Sequence, residues 1–183
     1  MRKLVLVGVL TLVAPATAAT QTPRWALGGT LFNITYFTEF DRYDVGIPGG
    51  GPLIPITLQA APVVYVGFFP HPQVAVVPGI AFHLVSSGFG EDAVYGLGLD
   101  AAVEWHVSGV TGNSAYAAVN FAYLAFDFGR GDADTEIALG AAIGYRWLPF
   151  EFLALRAESV FRRYLDFEEN QVTAVLKAEV VFN

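Results

Sequence analysis

A glutamate, a histidine and a serine stand at alternate positions in the segment EWHVS, residues 104–108. A serine hydroxyl can attack an ester, a histidine can take up its proton, and a carboxylate can orient the imidazole ring. Glu104, His106 and Ser108 therefore have residue types and a spacing that would suit hydrolysis. The alternative interpretation is a structural histidine that is hydrogen-bonded to a carboxylate.

Carboxylates are concentrated in the polar connections of the chain. Oxygen ligands of this kind suit a divalent cation, but DADTE, residues 132–136, lacks the glycine and the distal glutamate of a calcium loop. The glycine-rich segments GLGLD and GIPGGGP are not followed by a helix that would cradle a phosphate. We therefore expect no metal and no cofactor, and we interpret the carboxylates as a solvated acidic rim. The rim comprises Glu39, Asp41, Asp44, Glu91, Asp92, Asp127, Asp132, Asp134, Asp166, Glu168 and Glu169.

The N-terminal segment has the pattern of a cleavable signal peptide. Arg2 and Lys3 precede an apolar run over residues 4–13, and the small residues 16–18 suit cleavage. This run has about half of the roughly 20 apolar residues that a spanning helix needs. We assign residues 1–19 to the signal peptide and residues 20–183 to a single exported domain.

The composition of the exported domain excludes several classes of protein. The chain has no cysteine, so disulfides and thiolate metal sites do not contribute to it. Of the 10 basic residues, two leave with the signal peptide, and the remainder face 17 acidic residues. This negative charge argues against a nucleic-acid partner. Hydrophobic residues make up 54% of the chain without a helical run of about 18 apolar residues, which suggests a barrel.

Period-two alternation of apolar and polar residues predicts eight β-strands. Their connections alternate between long polar loops, such as GRGDAD and DFEENQ, and tight, nearly uncharged turns, such as FPHPQ and LPFE. This asymmetry is typical of an up-and-down antiparallel barrel, either soluble or embedded in a membrane. The predicted strands cover residues 24–38, 53–68, 74–87, 93–107, 114–128, 135–148, 153–166 and 172–183.

The charged residues opposite the apolar rows favour a membrane barrel. They do not suit a lipocalin-like cavity, because each unpaired buried ion costs several kcal/mol. We therefore place them in a lumen filled by ion pairs, with Leu99, Leu139 and Leu176 of the apolar rows against lipid. The first and fifth strands are apolar on both faces, and their orientation stays open. The predicted lumen residues are Asp100, Glu104, Arg146, Arg156, Glu158, Arg162, Lys177 and Glu179.

Large aromatic residues gather at one end of the predicted strands. If the first strand runs outwards from the periplasm, this end is periplasmic and the aromatics form an interfacial girdle. Alternatively, they cap the end of a soluble core. The girdle consists of Trp25, Trp105, Trp147 and Phe182, with Phe69 at the same level.

Together these features resemble the small eight-stranded outer membrane barrels of Gram-negative bacteria, of the OmpX, OmpW and OmpA-barrel type. The segment VVYVGFFPHPQVAVVPGIAF is similar to their strand, tight turn and strand, and TAVLKAEVVFN is similar to their last strand. The chain differs in that Asn183 follows Phe182, whereas the family usually ends on the aromatic residue. Pro62 and Pro78 fall inside predicted strands of a closed wall, so we expect β-bulges there.

The resemblance implies an all-β fold, an eight-stranded antiparallel up-and-down transmembrane β-barrel in the outer membrane of a Gram-negative-type bacterium. It implies contact with outer membrane lipid and lipopolysaccharide, assembly through the C-terminal strand by the barrel assembly machinery, and a monomer. The expected role is structural or interactive. One alternative is an OmpW-like transporter or receptor for a small hydrophobic solute, and another is a soluble periplasmic lipocalin-like barrel.

The resemblance also bears on the histidines. Lipid A deacylase barrels share the spacing of His106 and Ser108, but they act at the lipid-facing surface near the outer leaflet. His106 points inwards near the periplasmic end, so we expect no enzyme and a structural bond from His106 to a lumen carboxylate. His83 has the same interpretation, and His71 is expected to be exposed in a turn.

Arg162 and Arg163 are neighbours in the seventh predicted strand, so they point to opposite faces. With Arg162 in the lumen, Arg163 faces lipid near the outer leaflet. There it can contact a lipid headgroup phosphate, or it can neutralise Asp166 or Glu168. The sequence does not decide between these two roles.

Overall fold

Nine β-strands account for most of the residues that the structure describes. The computed structural model describes residues 24–39, 41–46, 64–85, 94–127 and 134–182. No helix among these residues is long and apolar enough to span a membrane. The strands are β1 (Arg24–Phe37), β2 (Arg42–Gly46), β3 (Val64–His71), β4 (Val74–Val85), β5 (Val94–His106), β6 (Ser114–Asp127), β7 (Asp134–Phe150), β8 (Leu153–Tyr164) and β9 (Asn170–Phe182).

The strands form one closed antiparallel sheet. From β3 to β9 each strand pairs with the next, and β1 pairs with both β3 and β9. β2 and β3 pair with successive parts of β1, through Asn33–Phe37 and Arg24–Gly29 respectively. They share one position in the wall, which therefore has the eight strands that the sequence predicts. We call the end where β1 begins and β9 ends the proximal end, and the opposite end the distal end.

Side chains alternate between a buried inner face and an exposed outer face. In β8, Arg156 and Arg162 are buried, whereas Phe161 is exposed. The described part of the outer face is mainly apolar, and Leu99 and Leu139 are 46% and 51% exposed. The barrel is therefore charged inside and apolar outside, the reverse of a soluble barrel.

β1 contains a β-bulge. The bulge explains why apolar residues stand at both odd and even positions of this strand. Its register against β9 shifts between Thr30 and Phe32. Leu27 is exposed before the shift and Ile34 after it, so the outward residues change from odd to even numbers. Leu31, at the bulge itself, is 51% exposed.

β6 is apolar on both faces because it contributes to an apolar layer inside the barrel. Its inward residues Ala118 and Ala122 are buried, and Ala118 packs in a cluster with Val160 and Val175. Its outward residue Val119 is 62% exposed. The orientation that the sequence leaves open is thus settled by tertiary packing.

The connection between the first two predicted strands, residues 39–52, is expected to be a loop but contributes a strand, β2. Of the predicted second strand, residues 53–68, the described part from Val64 onwards lies in β3. The first part of the predicted strand lies in residues 47–63, outside the described residues, as does Pro62. β2 is a five-residue strand, RYDVG, that is too short to show an alternation, and its pairing with β1 defines it.

Pro78 does not produce the β-bulge that we expect from the sequence. The register between β4 and β5 has no shift, and the shift between β3 and β4 lies between Phe68 and His71, beside the turn. Pro78 is exposed on the outer face. A proline removes one backbone donor but adds no residue, so the register can continue past it.

Candidate functional site: the charged lumen and the distal rim

A buried arginine on β8 is the centre of an ion-pair cluster in the proximal half of the lumen. Arg156 pairs with Glu104 of β5, with Glu158 at 3.0 Å and with Glu179 of β9 at 3.3 Å. Lys177 Nζ donates to Glu158 Oε2 at 2.7 Å. All of these side chains are at least nine-tenths buried, so their charges are satisfied by one another.

Tyrosine rings complete the surroundings of Arg156. Its guanidinium lies 4.8 Å from the centroid of the Tyr116 ring and 5.6 Å from that of Tyr65, within the range of cation–π attraction. Tyr116 Oη donates to Glu158 Oε1 at 2.6 Å. Gly144 makes room for this ring, since a Cβ atom there would lie 2.5 Å from Tyr116 Cζ. These tyrosines are not among the predicted lumen residues, although Tyr65 stands opposite the apolar row of its strand and could have been placed in the lumen by this parity.

A second arginine closes the proximal end of the barrel. Arg146 pairs with Glu179 and donates to the backbone carbonyl oxygen of Val110 in the β5–β6 turn. Val110 is buried, and its N–H donates to the carbonyl oxygen of Pro72 in the β3–β4 turn at 2.7 Å. The two turns are thereby held across the proximal opening.

Phe69 belongs to this closure and not to the aromatic girdle. It is buried, and the Arg146 guanidinium lies 5.5 Å from its ring centroid. Its inward orientation follows from the parity of β3, in which Tyr65 and Phe69 share a face. Phe69 thus lies at the level of the girdle, as the sequence predicts, but it faces the lumen.

The distal half of the lumen has a single pair between Arg162 and Asp100 among the described ion pairs. The eight charged residues of the predicted lumen set thus all take part in ion pairs. A cavity of about 20 Å³ lies between the two halves, against Glu158, Arg162 and Lys177. This volume is close to that of one water molecule.

The residues that could perform hydrolysis do not form a catalytic arrangement. His106 is buried, and its Nε2 lies 3.0 Å from Glu104 Oε2. Ser108 lies beyond the end of β5 and is exposed, and its backbone N–H donates to Ser114 Oγ. Among the described residues, no hydrogen bond joins His106 to a serine hydroxyl.

The chain has two further histidines, His71 and His83. His71 is half-buried, and its Nδ1 accepts from the backbone N–H of Gln73 at 3.2 Å, so its prediction as a solvent-exposed residue is wrong. The tight turn between the two prolines folds the ring back onto the chain. The side chain of His83 lies outside the described part of the structure.

The acidic rim at the distal end is only partly solvated. Asp166 and Glu168 are exposed, but Glu169 is 1% exposed, which contradicts the prediction for this residue. Both carboxylate oxygens of Glu169 accept from the backbone N–H of Glu39, at 3.1 and 3.2 Å. Glu136, also buried, accepts from the backbone N–H of Asp166 at 2.9 Å. Glu91, Asp92 and Asp132 lie outside the described residues.

These two buried carboxylates hold the distal connections in place. Glu169 links the β8–β9 connection to the β1–β2 connection, and Glu136 links it to β7. Glu168 adopts a left-handed backbone with φ of 54°, which turns the chain between them. Leu165 and Phe167 of the β8–β9 connection are exposed beside these contacts.

The predicted girdle residues all lie on the outer face at the proximal end. Trp25, Trp105, Trp147 and Phe182 are between 47% and 55% exposed. Two further aromatics, Phe150 and Phe152, stack at 5.7 Å in the β7–β8 hairpin and are 58% and 61% exposed. This pair is not among the predicted girdle residues, because LPFE, which contains Phe150, is interpreted as a tight turn.

Arg163 lies on the outer face near the distal end, between Phe161 and Leu165 along β8. Its Nη1 donates to Asn170 Oδ1 at 3.0 Å. Among the described side chains, neither Asp166 nor Glu168 forms an ion pair with it. The neutralising role that the sequence allows for Arg163 is therefore not seen in this part of the chain.

Solved structures with a similar fold include small outer membrane barrels. The crystal structure of neisserial surface protein A (NspA) matches with a TM-score of 0.56 and 9% identity, covering 87% of this chain and 99% of that chain. The N-terminal β-barrel domain of Pseudomonas aeruginosa OprF matches with a TM-score of 0.50 and 12% identity, covering 87% and 97%. Ail, the attachment invasion locus protein of Yersinia pestis, matches with a TM-score of 0.45 and 15% identity, with the same coverage as OprF.

No protein-family model matches the chain, and no curated protein matches its sequence. The structural likeness shows the fold: the chain is a closed eight-stranded antiparallel β-barrel of the type found in small outer membrane proteins. The resemblance inferred from the strand and loop pattern is confirmed at this level.

Proposed function

We propose that the chain is an integral outer membrane protein of a Gram-negative-type bacterium, with a closed lumen and a structural or surface-interaction role. The observation that carries this proposal is the contrast between its two faces. Leu99, Leu139 and Leu176 are 46–51% exposed on the outside, whereas the charged side chains are buried inside. In water this contrast would be unfavourable, but against hydrocarbon it is the arrangement of a transmembrane barrel.

Extraction and depth-dependent substitution test the membrane placement. An integral barrel stays with the membrane after carbonate or urea washing, and release by either wash would contradict the proposal.

Arginine at Leu99, Leu139 or Leu176 should destabilise the folded barrel by about 2–4 kcal/mol each, measured by urea titration in lipid vesicles. Leu165→Arg is the matched control, because Leu165 lies near the distal edge and the cost there is about 0–1 kcal/mol.

A closed lumen disfavours the alternative of a transporter for a small hydrophobic solute. The described interior is filled by Arg146, Arg156 and Arg162 with their carboxylate partners. Eight strands enclose a space that side chains fill. Purified protein in planar bilayers should therefore show no steady pore, and reproducible channels in a porin-free preparation would favour transport instead.

The proposed surface partner is lipopolysaccharide, through Arg163. This exposed guanidinium has only a neutral amide as its described partner, so it can bind a headgroup phosphate while its stem lies along the apolar face. Arg163→Ala should weaken lipopolysaccharide binding roughly 2- to 10-fold with folding intact, and Arg163→Lys should retain most of it. Equal affinities of wild type and Arg163→Ala at low and high salt would exclude this contact.

Delivery to the membrane is part of the same proposal. β9 ends in Phe182, which is exposed on the outer face at the proximal end. We propose that the barrel assembly machinery recognises this strand. Replacing Phe182 with alanine should lower the amount of folded barrel in cells more than the yield of refolding in vesicles.

A further inference from the structure

An apolar groove runs along the outer surface where β7, β8, β9 and β1 meet. It has a volume of about 360 Å³. Two of the residues along it, Arg156 and Lys177, direct their charged ends into the lumen, where both form ion pairs. The residues that form its outer surface are Leu31, Tyr145, Trp147, Leu155, Ala157 and Leu176.

The shape of the groove follows from one small residue between larger ones. Ala157 of β8 is the cross-strand partner of Tyr145 on one side and of Leu176 on the other. Tyr145 and Leu176 are 50% and 48% exposed, so they stand as walls above the methyl group of Ala157. The β-bulge in β1 adds Leu31 at mid-height of the wall, and Trp147 marks the proximal end of the groove.

We propose that this groove holds one acyl chain of a phospholipid in the leaflet at the proximal end, with the glycerol and phosphate region beside Trp147. The inference rests on the membrane placement proposed above. The groove is continuous with the apolar outer face, and its lining includes both Leu31 at the β-bulge of β1 and Trp147 of the girdle. Tryptophan prefers the interface where bilayer acyl chains end, so an acyl chain that begins beside Trp147 can lie against the apolar lining.

Packing explains why a lipid acyl chain would stay in this groove in preference to the surrounding bilayer. Hydrocarbon already surrounds every lipid tail, so burial from water gives no preference for one part of the belt. A tail in the groove contacts side chains on several sides, whereas a tail on the flat belt contacts them on one side, and these dispersion contacts add up. A second copy of this chain fits less well, because a stable protein interface buries about 800 Å² per partner.

Photo-crosslinking with a phospholipid tests the proposal. The full exported chain is folded into phosphatidylethanolamine and phosphatidylglycerol vesicles that contain a phosphatidylethanolamine with a diazirine in the middle of one acyl chain. Peptide mass spectrometry then compares adducts on the groove strands β8 and β9 with adducts on β5 and β6, which lie outside the groove. In Ala157→Phe the ring fills the groove. Ala117→Phe is the matched control, because Ala117 is an exposed alanine at a similar depth of β6.

The expected result is an excess of adducts at the groove in the wild type. The ratio of groove to control adducts should fall to about one in Ala157→Phe and remain unchanged in Ala117→Phe, since only the first substitution removes the multi-sided contacts. An even distribution around the wild-type barrel, a ratio that survives Ala157→Phe, or crosslinks between two copies at β8 would overturn the proposal. If the protein is washed from the vesicles by urea, the membrane placement itself fails. Retention in the vesicles without an adduct preference refutes the acyl-chain site alone.

Discussion

In the proximal half of the lumen, Arg156 contacts three carboxylates, whereas Arg162 in the distal half pairs with one, Asp100, among the described side chains. Each carboxylate around Arg156 also has a second partner, as in the bond from Lys177 to Glu158. The proximal charges are therefore shared among several strands of the wall. Removal of Arg156 therefore takes an ion-pair partner from three carboxylates, whereas removal of Arg162 takes one from Asp100.

The distal half relies on neutral hydrogen bonds and on carboxylates that accept from the backbone. Tyr164 Oη donates to Gln171 Oε1 at 2.9 Å, and the hydroxyls of Thr35 and Thr173 lie 3.1 Å apart. Glu169 accepts from a connection rather than from a cation. Glutamates thus neutralise arginine and lysine in the proximal half, whereas Glu169 fixes the conformation of a connection at the distal end.

Substitution of Arg156 by leucine should have the largest effect. It leaves Glu104, Glu158 and Glu179 buried with fewer positive partners, which costs about 3–5 kcal/mol of unfolding free energy. Equilibrium urea unfolding in vesicles measures the loss. Arg156→Lys is the control that retains the charge but not the forked geometry, and it should lie between wild type and Arg156→Leu. A loss below that of Arg162→Leu would reverse the comparison between the two halves.

The corresponding distal substitution, Arg162→Leu, should have a smaller effect. Asp100 loses its described partner, but its side chain is 12% exposed and can be partly hydrated. We expect a loss of about 1–3 kcal/mol in the same assay. Adding Asp100→Asn should recover part of this loss, because no unpaired charge remains. A double variant no more stable than Arg162→Leu would show that Asp100 is not destabilised by losing Arg162.

The smallest effect is expected at the distal rim. Glu169→Gln removes the charge from the acceptor of the Glu39 N–H but keeps an oxygen in place, so the loss is about 0.5–1.5 kcal/mol and is local. Hydrogen exchange should show faster exchange at the amide of Glu39, with the lumen amides unchanged. Glu168→Gln is the control, because Glu168 is exposed. Equal exchange rates at Glu39 in the two variants would remove the structural role that we assign to Glu169.

The wall of this barrel could be predicted from the sequence because its period of two is simple. Parity alone indicates that Arg156 and Arg162 point inwards and that Arg163 points outwards. Strand ends follow from the turn residues between the alternating segments, and the observed strands from β4 onwards begin and end within a few residues of the predicted ones.

The departures arise where local pattern and long-range contacts disagree. The bulge at Leu31 adds one residue and changes the parity of β1, and no residue type marks it. The contact between Glu169 and Glu39 joins residues 130 positions apart, so it depends on closure of the barrel and not on the loop sequence. Phe69 points into the lumen, as the parity of its strand requires. Its position at a strand end also suits an aromatic girdle, so the sequence pattern favours both placements.

The pairs between β5 and β8 bear on the order of events in folding. Arg156–Glu104 and Arg162–Asp100 connect strands that are not neighbours in the wall, with β6 and β7 between them. A growing sheet can add neighbouring strands one hairpin at a time, but these two bonds form only when the sheet curves far enough for its inner side to meet itself. The final seam, between β1 and β9, joins residues from opposite ends of the chain, so its formation is slow relative to local hairpins. Curvature and seam closure therefore coincide with the loss of water from the charged side chains, which makes the last step cooperative and leaves half-closed intermediates unfavourable.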